Sequence, residues 1–173
     1  MNFLNPQTYI DFALAQGAEH AVEITIDQIA FDSRTYLKCL FGCSGGNPAT
    51  PCHSQPGRIK PWEYEPMLKK YKWGILIHSK IERITQDISL ALEGRAFADG
   101  YYFAFSLSDC ALCAECAHMR KEPCPHYEMT RPSMHAAGID VFKTVRNLKL
   151  PLEALKAPWS EEDLNFYSLV LVE

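Results

Sequence analysis

The order of apolar and polar positions divides the first part of the chain into one helix and one strand. Asn5 and Pro6 form an N-cap followed by proline at the first helical position, and an apolar stripe with helical spacing continues to Gly17. Over residues 21–26, β-branched residues alternate with polar ones. This alternation predicts a half-buried strand that ends near Phe31.

The regular pattern is lost between Asp32 and Gly57. Glycine and proline recur around the three cysteines of this stretch, so the sequence predicts a long structured loop. Loops of this length inside a compact domain are usually functional or disordered, and the embedded thiols favour a functional loop. Metal binding by the cysteines would offset the entropy cost of ordering the loop.

Three clearer elements follow. The segment from Pro61 to about Tyr71 begins with proline and acidic residues, which suit the first turn of a helix. The apolar run Trp73–His78 predicts a strand that is buried on both faces. From Ile81 onward, apolar residues at helical spacing predict the longest helix, which ends before Gly100.

The last third of the chain contains the second set of cysteines. Aromatic residues over Tyr101–Phe105 predict a strand that leads directly into them. Ser133 is predicted to cap a helix in which Gly138 costs about 1 kcal/mol relative to alanine, so Gly138 should meet a packing or conformational need. Residues 150–162 predict a connection, and residues 165–172 predict a final strand.

This alternation of helices and strands predicts an α/β fold. We expect one layered domain over residues 1–173, with a small sheet of about four strands and an inserted cysteine-rich metal-binding loop. The pattern leaves the strand order and the proportion of antiparallel pairing open.

Composition and charge narrow the class of protein. The chain has 173 residues, 47% of them hydrophobic, which fits a soluble domain with a sizeable core. Its net charge of −4 offers no positive field for nucleic acid or an anionic membrane surface. No apolar run approaches the roughly 20 residues that span a bilayer, and the first residues do not resemble a signal peptide. We therefore expect a cytoplasmic protein with no nucleic-acid or membrane partner.

Seven cysteines are present, an odd number that argues against a closed disulfide framework. They form two groups and predict metal-binding segments at residues 39–53 and 110–126. The first group is Cys39, Cys43 and Cys52, and the second is Cys110, Cys113, Cys116 and Cys124.

The second group has the stronger signature. It reads C-x2-C-x2-C-x7-CP, which shares all but its last gap with the bacterial ferredoxin run that ligates an iron–sulfur cluster. Most mononuclear zinc sites instead use paired C-x2-C knuckles that are separated by a dozen or more residues. The run predicts a [4Fe–4S] cluster, with a structural zinc site and unligated thiols as the alternatives.

The first group is open to more interpretations. Three thiolates on a second cluster would leave one iron for a substrate, a water or His53, or some of these cysteines join the first site or stay unligated. In a two-cluster ferredoxin run the fourth cysteine ligates the other cluster. Cys124 is therefore a candidate ligand for the site of the first group as well as for its own group. Near the second group, His118 and His126 are candidate hydrogen-bond donors to cluster sulfur, and Arg131 is either a partner for an anionic cluster or a surface ion-pair residue.

Taken together, the two cysteine groups and the segment Arg131–Val141 resemble a bacterial and archaeal family of predicted metal-binding proteins, a domain of unknown function. The resemblance extends from about Cys39 to Val145. It comprises an early C-x3-C, a later cysteine, a Tyr-Lys pair, the C-x2-C-x2-C run with a further cysteine, and Ser-Met-x-Ala-x-Gly-Ile-Asp-Val; here these are Cys39, Cys43, Cys52, Tyr71-Lys72, the Cys110–Cys124 group and Ser133–Val141. One departure is His53, which follows Cys52 where the family pattern leads us to expect proline. The resemblance implies metal binding and supplies no reaction.

The function that the sequence favours is that of an iron–sulfur protein in electron transfer or cluster-based redox chemistry, with a redox partner protein. A zinc-stabilised binding or scaffold module is one alternative. An enzyme that uses an open-site cluster at Cys39, Cys43 and Cys52 for sulfur or small-ligand chemistry is another, so the sequence leaves enzymatic activity and the oligomeric state open.

Overall fold

A computed structural model describes residues 5–42, 58–120, 122–152 and 164–173. These residues form five α-helices: α1 (Pro6–Ala15), α2 (Thr35–Gly42), α3 (Pro61–Leu68), α4 (Glu82–Ala98) and α5 (Val141–Asn147). They also form four strands: β1 (His20–Thr25), β2 (Trp73–Ser79), β3 (Phe105–Leu107) and β4 (Phe166–Leu171). Short 3-10 turns lie at Ile26–Gln28, Ala117–Arg120 and Tyr127–Met129.

The four strands build one antiparallel sheet in the order β1-β2-β4-β3. β2 and β4 occupy its centre, and the buried positions of both strands show that helices or turns cover the two faces. The predicted α/β fold, with a single layered domain and about four strands, is confirmed. The sequence left the order and the antiparallel pairing open, and the residue boundaries of the domain stay a prediction.

Each face of the sheet has its own apolar core. On one face, Ile75 and Ile77 of β2 pack with Tyr9 of α1 and with Ile88 and Leu92 of α4. On the other face, neighbouring strand positions pack against α3, α5 and the segment that precedes α5; this core includes Ile24, Leu76, Leu107, Leu169, Tyr64, Leu68, Met134, Ile139 and Val145. Successive side chains of a strand point to opposite faces, which is why β2 supplies both cores and has an apolar run from Trp73 to Ile77.

The ends of several elements follow the expected local chemistry. The Asn5 side chain accepts a hydrogen bond from the Gln7 backbone N–H at 3.0 Å and caps α1, with Pro6 as the first helical residue. Gly17 follows the helix with φ +102°, a conformation that favours glycine. β2 and α4 occupy the segments predicted for them, and α4 is the longest helix in the described part of the chain.

Two predicted segments differ from the structure. The stretch predicted as an irregular loop contains α2, because the glycine- and proline-rich sequence begins only at the end of that helix. The predicted strand Tyr101–Phe105 is mostly a turn, and β3 begins at its last residue. Tyr102 and Phe103 are 70% and 71% exposed, and the Ala104 N–H donates to the Tyr101 carbonyl at 2.9 Å, so Tyr102 and Phe103 lie in a turn and not in a strand.

The predicted helix at Ser133 is also displaced. The Ser133 side chain accepts from the Ala136 N–H at 3.1 Å, but it caps only a short turn. Gly138 ends this turn with φ +82°, and Asp140 then caps α5 by accepting from the Lys143 N–H at 2.9 Å. A Cβ atom on Gly138 would lie 3.0 Å from the Pro61 carbonyl oxygen, so both conformation and packing require glycine.

Gly138→Ala should therefore destabilise the protein by about 1–3 kcal/mol, because a non-glycine residue in the left-handed region is strained and its neighbour here is backbone. Gly94→Ala is the matched control, since a Cβ at this position in α4 meets nothing within 4 Å. The control should stabilise by about 0.5–1 kcal/mol. Urea unfolding of both variants measures the difference, and equal stabilities would contradict the account of Gly138.

A histidine pair joins β1 to β2, with His78 buried and His20 exposed. His78 is 1% exposed, and its Nε2 lies 2.8 Å from Oδ1 of Asn165 while its Nδ1 lies 2.9 Å from Nδ1 of His20. Because the amide oxygen only accepts, Nε2 of His78 is the donor in that hydrogen bond. Burial is the main cause that lowers the pKa of His78, and the hydrogen bond to Asn165 opposes it.

The lowered pKa gives stability a definite pH dependence. Above the ordinary histidine pKa of about 6.5, His78 is neutral in both the folded and unfolded states. Below it, the unfolded state binds the proton more readily, so stability falls as the pH falls towards the folded-state pKa. We expect His78→Phe to reduce the slope of unfolding free energy against pH below about 6.5, by up to about 1.4 kcal/mol per pH unit. Urea titrations at several pH values test this, with exposed His126→Gln as the control; an unchanged slope in His78→Phe would contradict it.

Candidate metal centre

The second cysteine group lies in a loop whose two ends are joined. β3 ends at Leu107, and the Ser108 N–H donates to the Pro132 carbonyl at 3.0 Å. All four cysteines of the group lie between these two residues. The strand therefore delivers the chain into a closed loop at the edge of the sheet, as the sequence predicted, although the strand itself is shorter.

Helix α4 fastens the start of this loop. The Arg83 guanidinium donates to the Leu112 carbonyl at 2.8 Å and to the Ala111 carbonyl at 3.2 Å. Gln86, which is fully buried, accepts from the Ala111 N–H through Oε1 at 2.6 Å. These three bonds fix the backbone directly after Cys110.

A second anchor holds the end of the loop. Arg131 makes a two-point ion pair with Glu93 of α4, at 2.6 Å and 3.0 Å, and donates to the carbonyls of Glu128 and Thr130. Burial tends to raise the pKa of Glu93, but the hydrogen bonds from Arg131 and Ser106 outweigh it and hold the pKa below its usual value. Arg131 thus forms an ion pair, which was one of the two roles suggested by the sequence, but the pair is largely buried and not on the surface.

The four cysteines of the loop are free thiols, with Cys110 and Cys116 exposed and Cys113 and Cys124 half-buried. Cys110 lies close enough to Cys116 and Cys124 for their charges to act on it. Partial loss of water around the sulfur is the largest cause that raises the pKa of Cys110, whereas the Leu112 N–H and the Gln86 side chain favour its thiolate. Metal binding would deprotonate these thiols and release their protons.

The structure does not assemble a finished coordination site from the residues it describes. Among them, no group of three or more His, Cys, Asp or Glu side chains is arranged to hold a metal ion. Cys39 lies on α2 and is half-buried. Cys43, Cys52 and His53, with the rest of residues 43–57, lie outside the described residues, so the membership of the first group stays a prediction.

The donor chemistry of the loop nevertheless fits an iron–sulfur cluster. Four soft thiol ligands lie within one closed loop, and such clusters are held by four thiolates. The buried Gln86 Nε2 has no acceptor at hydrogen-bonding geometry in the described part of the chain, yet it lies beside Cys110 and favours its thiolate. A thiolate or a cluster sulfide there would provide the acceptor that this amide lacks.

The sequence predicted the cysteines but not the residues that position them. Arg83, Gln86 and Glu93 all come from α4 and contact residues at least 13 positions further along the chain. One signal was available, because Gln86 is the one buried residue of α4 with a long polar side chain; the others are Thr85, Ile88, Ser89, Leu92 and Ala96. His126 is exposed, and the structure gives it no part in the loop anchors.

A further group was also missed, next to the loop. Asp109 directly precedes Cys110, and it lines the same cavity as Ser133 and His135. Loss of water around the carboxylate is the main cause that raises the pKa of Asp109. Burial is the main cause that lowers the pKa of His135, and the negative charges of Asp109 and Asp140 act in the opposite direction. These residues line an open cavity that also reaches Cys39 on α2.

The fold and the loop together define the class of protein. It is an α/β protein with an antiparallel sheet and a closed loop that carries four cysteines and is fastened to α4, a helix that packs on the sheet. The chain belongs to the family of predicted metal-binding proteins DUF2284, whose profile matches residues 22–172. The predicted family resemblance is thereby confirmed. No curated protein and no solved structure matches the chain at a significant level. In the described residues, no helix has the length and apolar character needed to cross a membrane.

Proposed function

We propose that this metal-binding protein carries a [4Fe–4S] cluster on Cys110, Cys113, Cys116 and Cys124 and acts in electron transfer or cluster-based redox chemistry. The observation that carries the proposal is the closed loop that contains all four thiols and is fastened to α4 at both ends. Such a loop limits the entropy cost of gathering four ligands around one group.

The spacing of the ligands favours iron over zinc. Three cysteines separated by two residues each, with a fourth followed by proline, follow the ferredoxin run more closely than the separated knuckles of structural zinc sites. The family assignment supports metal binding and is neutral about which metal is bound.

The residues around the loop have definite roles in this proposal. Gln86 directs an amide donor towards Cys110, and Arg83 brings positive charge close to Cys110 and Cys113. Donors and positive charge near thiolate ligands stabilise the reduced, more negative state and raise the reduction potential. The cluster itself would supply the one-electron chemistry.

The first group, Cys39, Cys43 and Cys52, is proposed as a second metal site. Cys124 is a candidate ligand for both sites. Cys39 supports this as far as the structure describes the group, because it is accessible on α2 and lines the cavity that Asp109 also lines. A redox partner protein and a cytoplasmic location belong to the same proposal.

Metal and sulfide content test the proposal. Protein purified anaerobically should contain iron and acid-labile sulfide in equal amounts, about four of each per chain for one cluster and about eight for two. Stoichiometric zinc without sulfide, in folded protein prepared the same way, would overturn the proposal in favour of a zinc-stabilised binding module.

A further inference from the structure

The first half of α4 meets the sheet through polar side chains. Elsewhere on this face of the sheet the core is apolar and includes Ile88 and Leu92 of α4. Six side chains, from α4, from β3 and β4 and from the residue that follows β3, form a polar seam and are at most 3% exposed: Thr85, Gln86, Ser89, Ser106, Ser108 and Ser168. Because burial removes water from polar groups, each of them needs a hydrogen-bond partner.

Four hydroxyl groups of the polar seam have such a partner within the protein. Each donates to a carbonyl or carboxylate oxygen at 2.6–2.9 Å: Thr85 to Glu82, Ser89 to Gln86, Ser106 to Glu93 and Ser168 to Thr85. These bonds join α4 to itself or to a strand of the sheet. The four residues therefore serve the fold.

The other two side chains of the polar seam carry an unpaired polar atom. Nε2 of Gln86 and Oγ of Ser108 are buried and have no hydrogen-bond partner in the described part of the chain. Thr35 Oγ1 on α2 is the third buried side-chain atom of this kind among the described residues. An unpaired buried polar group costs folding free energy, so it indicates a partner that these residues do not supply.

Both unpaired atoms belong to residues at the base of the cysteine loop. The Ser108 N–H closes the loop by donating to the Pro132 carbonyl, and Ser108 comes two residues before Cys110. The Gln86 amide is held by the Ala111 N–H, which donates to its Oε1 at 2.6 Å. Ala111 directly follows Cys110. The residues that carry or hold the two unpaired atoms therefore flank Cys110.

Alternation along β3 places the Ser108 side chain on the α4 side of the sheet. Leu107 packs in the core on the opposite face, whereas Ser106 bonds to Glu93 of α4. Successive side chains of an extended chain point to opposite faces. Ser108, one residue beyond the strand, is therefore on the face where α4 presents Gln86.

Both unpaired groups are hydrogen-bond donors. The amide nitrogen of glutamine only donates, and a serine hydroxyl donates one proton whose direction adjusts to the acceptor. Metal binding converts the loop thiols to thiolates, which are acceptors. In a buried seam the dielectric constant is low, so hydrogen bonds to such an anionic group are stronger than they are in water.

We propose that the Ser108 hydroxyl, together with the Gln86 amide, donates a hydrogen bond to sulfur of the cluster in the cysteine loop, and that Ser108 thereby raises the cluster's reduction potential. This inference rests on the proposed function. It adds a residue outside the cysteine run to the surroundings of the cluster. Hydrogen bonds to cluster sulfur stabilise the reduced, more negative state, which gives the direction of the effect.

A redox titration of the anaerobically purified protein at an electrode, which supplies one electron per cluster, tests the effect on the potential. In Ser108→Ala, reduction should be about three- to tenfold less favourable, a shift of about 30–60 mV to more negative potential. Ser89→Ala is the matched control and should leave the potential unchanged, because it removes a buried hydroxyl of the seam that is bonded within α4. An unchanged or more positive potential in Ser108→Ala, or an equal shift in both variants, would overturn the proposal.

The metal-free protein gives a second test that needs no cluster. There the Ser108 hydroxyl is unpaired, so Ser108→Ala should leave the urea midpoint unchanged or raise it. Ser89→Ala breaks a formed hydrogen bond and should lower the midpoint. A fall in Ser108→Ala as large as the fall in Ser89→Ala would show that the hydroxyl already has a structural partner, and it would overturn the proposal.

Hyperfine spectroscopy of the reduced wild-type protein in heavy water detects the hydrogen bonds directly. Exchangeable deuterons that couple to the electron spin of the cluster report hydrogen bonds to its sulfur. Loss of one such coupling in Ser108→Ala supports the proposal, and an unchanged set of couplings would overturn it.

Iron and sulfide content, measured on the same samples, separates the two proposals. Wild-type protein without iron and sulfide would contradict the cluster and, with it, the assignment of Ser108. A wild-type cluster whose potential is the same in Ser108→Ala would contradict the assignment of Ser108 alone.

Discussion

Cys113→Ser is expected to abolish most binding of iron and sulfide. A serine hydroxyl at neutral pH is protonated and hard, and it cannot replace a thiolate among the four ligands of a cluster. The expected result is loss of the visible absorption of the anaerobically purified protein together with its iron and sulfide. Ala114→Ser is the matched control, because it places the same hydroxyl one residue away at an exposed position and removes no thiol.

Cys39→Ser then distinguishes one site from two. If the two cysteine groups form separate sites, this variant keeps about four irons per chain and the spectrum of the loop cluster. If Cys39 contributes to the loop site, both variants lose the same signal. Retention of full iron and sulfide in Cys113→Ser would contradict the assignment of that cysteine.

Arg131→Met is expected to lower the free energy of unfolding by about 3–5 kcal/mol. The side chains of Arg131 and Glu93 are only 19% and 16% exposed, so removal of the guanidinium leaves a largely buried carboxylate without its partner. The substitution also removes two hydrogen bonds to carbonyls at the end of the cysteine loop. Urea unfolding of the metal-free protein measures the loss without a contribution from bound metal.

Lys69→Met provides the comparison for this ion pair. Lys69 and Glu65 form an exposed pair on the protein surface, and its loss should cost about 0.5 kcal/mol or less. The double variant Arg131→Met with Glu93→Met should regain part of the lost stability, since it leaves no unpaired buried charge. A cost below about 1 kcal/mol for Arg131→Met would show that the pair does not fasten the loop in this way.

The parts of the fold that the sequence predicted are those that depend on neighbouring residues. α1 has its own cap and first-turn proline, and the continuous apolar run of β2 reflects burial on both faces. β3 was misplaced because its position is set by pairing with β4, which follows about 60 residues later in the chain. The aromatic residues at Tyr102 and Phe103 have strand propensity, but long-range pairing decided where the strand begins.

In the candidate site, too, the features set by neighbouring residues were predicted and those set by long-range contacts were not. The ligand pattern is local, and it was visible as four cysteines within 15 residues, from Cys110 to Cys124. The groups that fasten the loop are not local, since Gln86 lies 25 residues before the N–H that it binds and Glu93 lies 38 residues before Arg131. A charged or amide side chain on a helix face has many possible partners, and only the packing of α4 against the sheet selects among them.

The electron paramagnetic resonance spectrum of the reduced protein tests the central claim most directly. Reduction of the anaerobically purified chain by one electron should produce a paramagnetic iron–sulfur signal, which is absent in Cys113→Ser and present in Ala114→Ser. Zinc has no redox chemistry and gives no such signal. A folded, metal-replete protein that stays silent on reduction and contains zinc would contradict the cluster on Cys110, Cys113, Cys116 and Cys124.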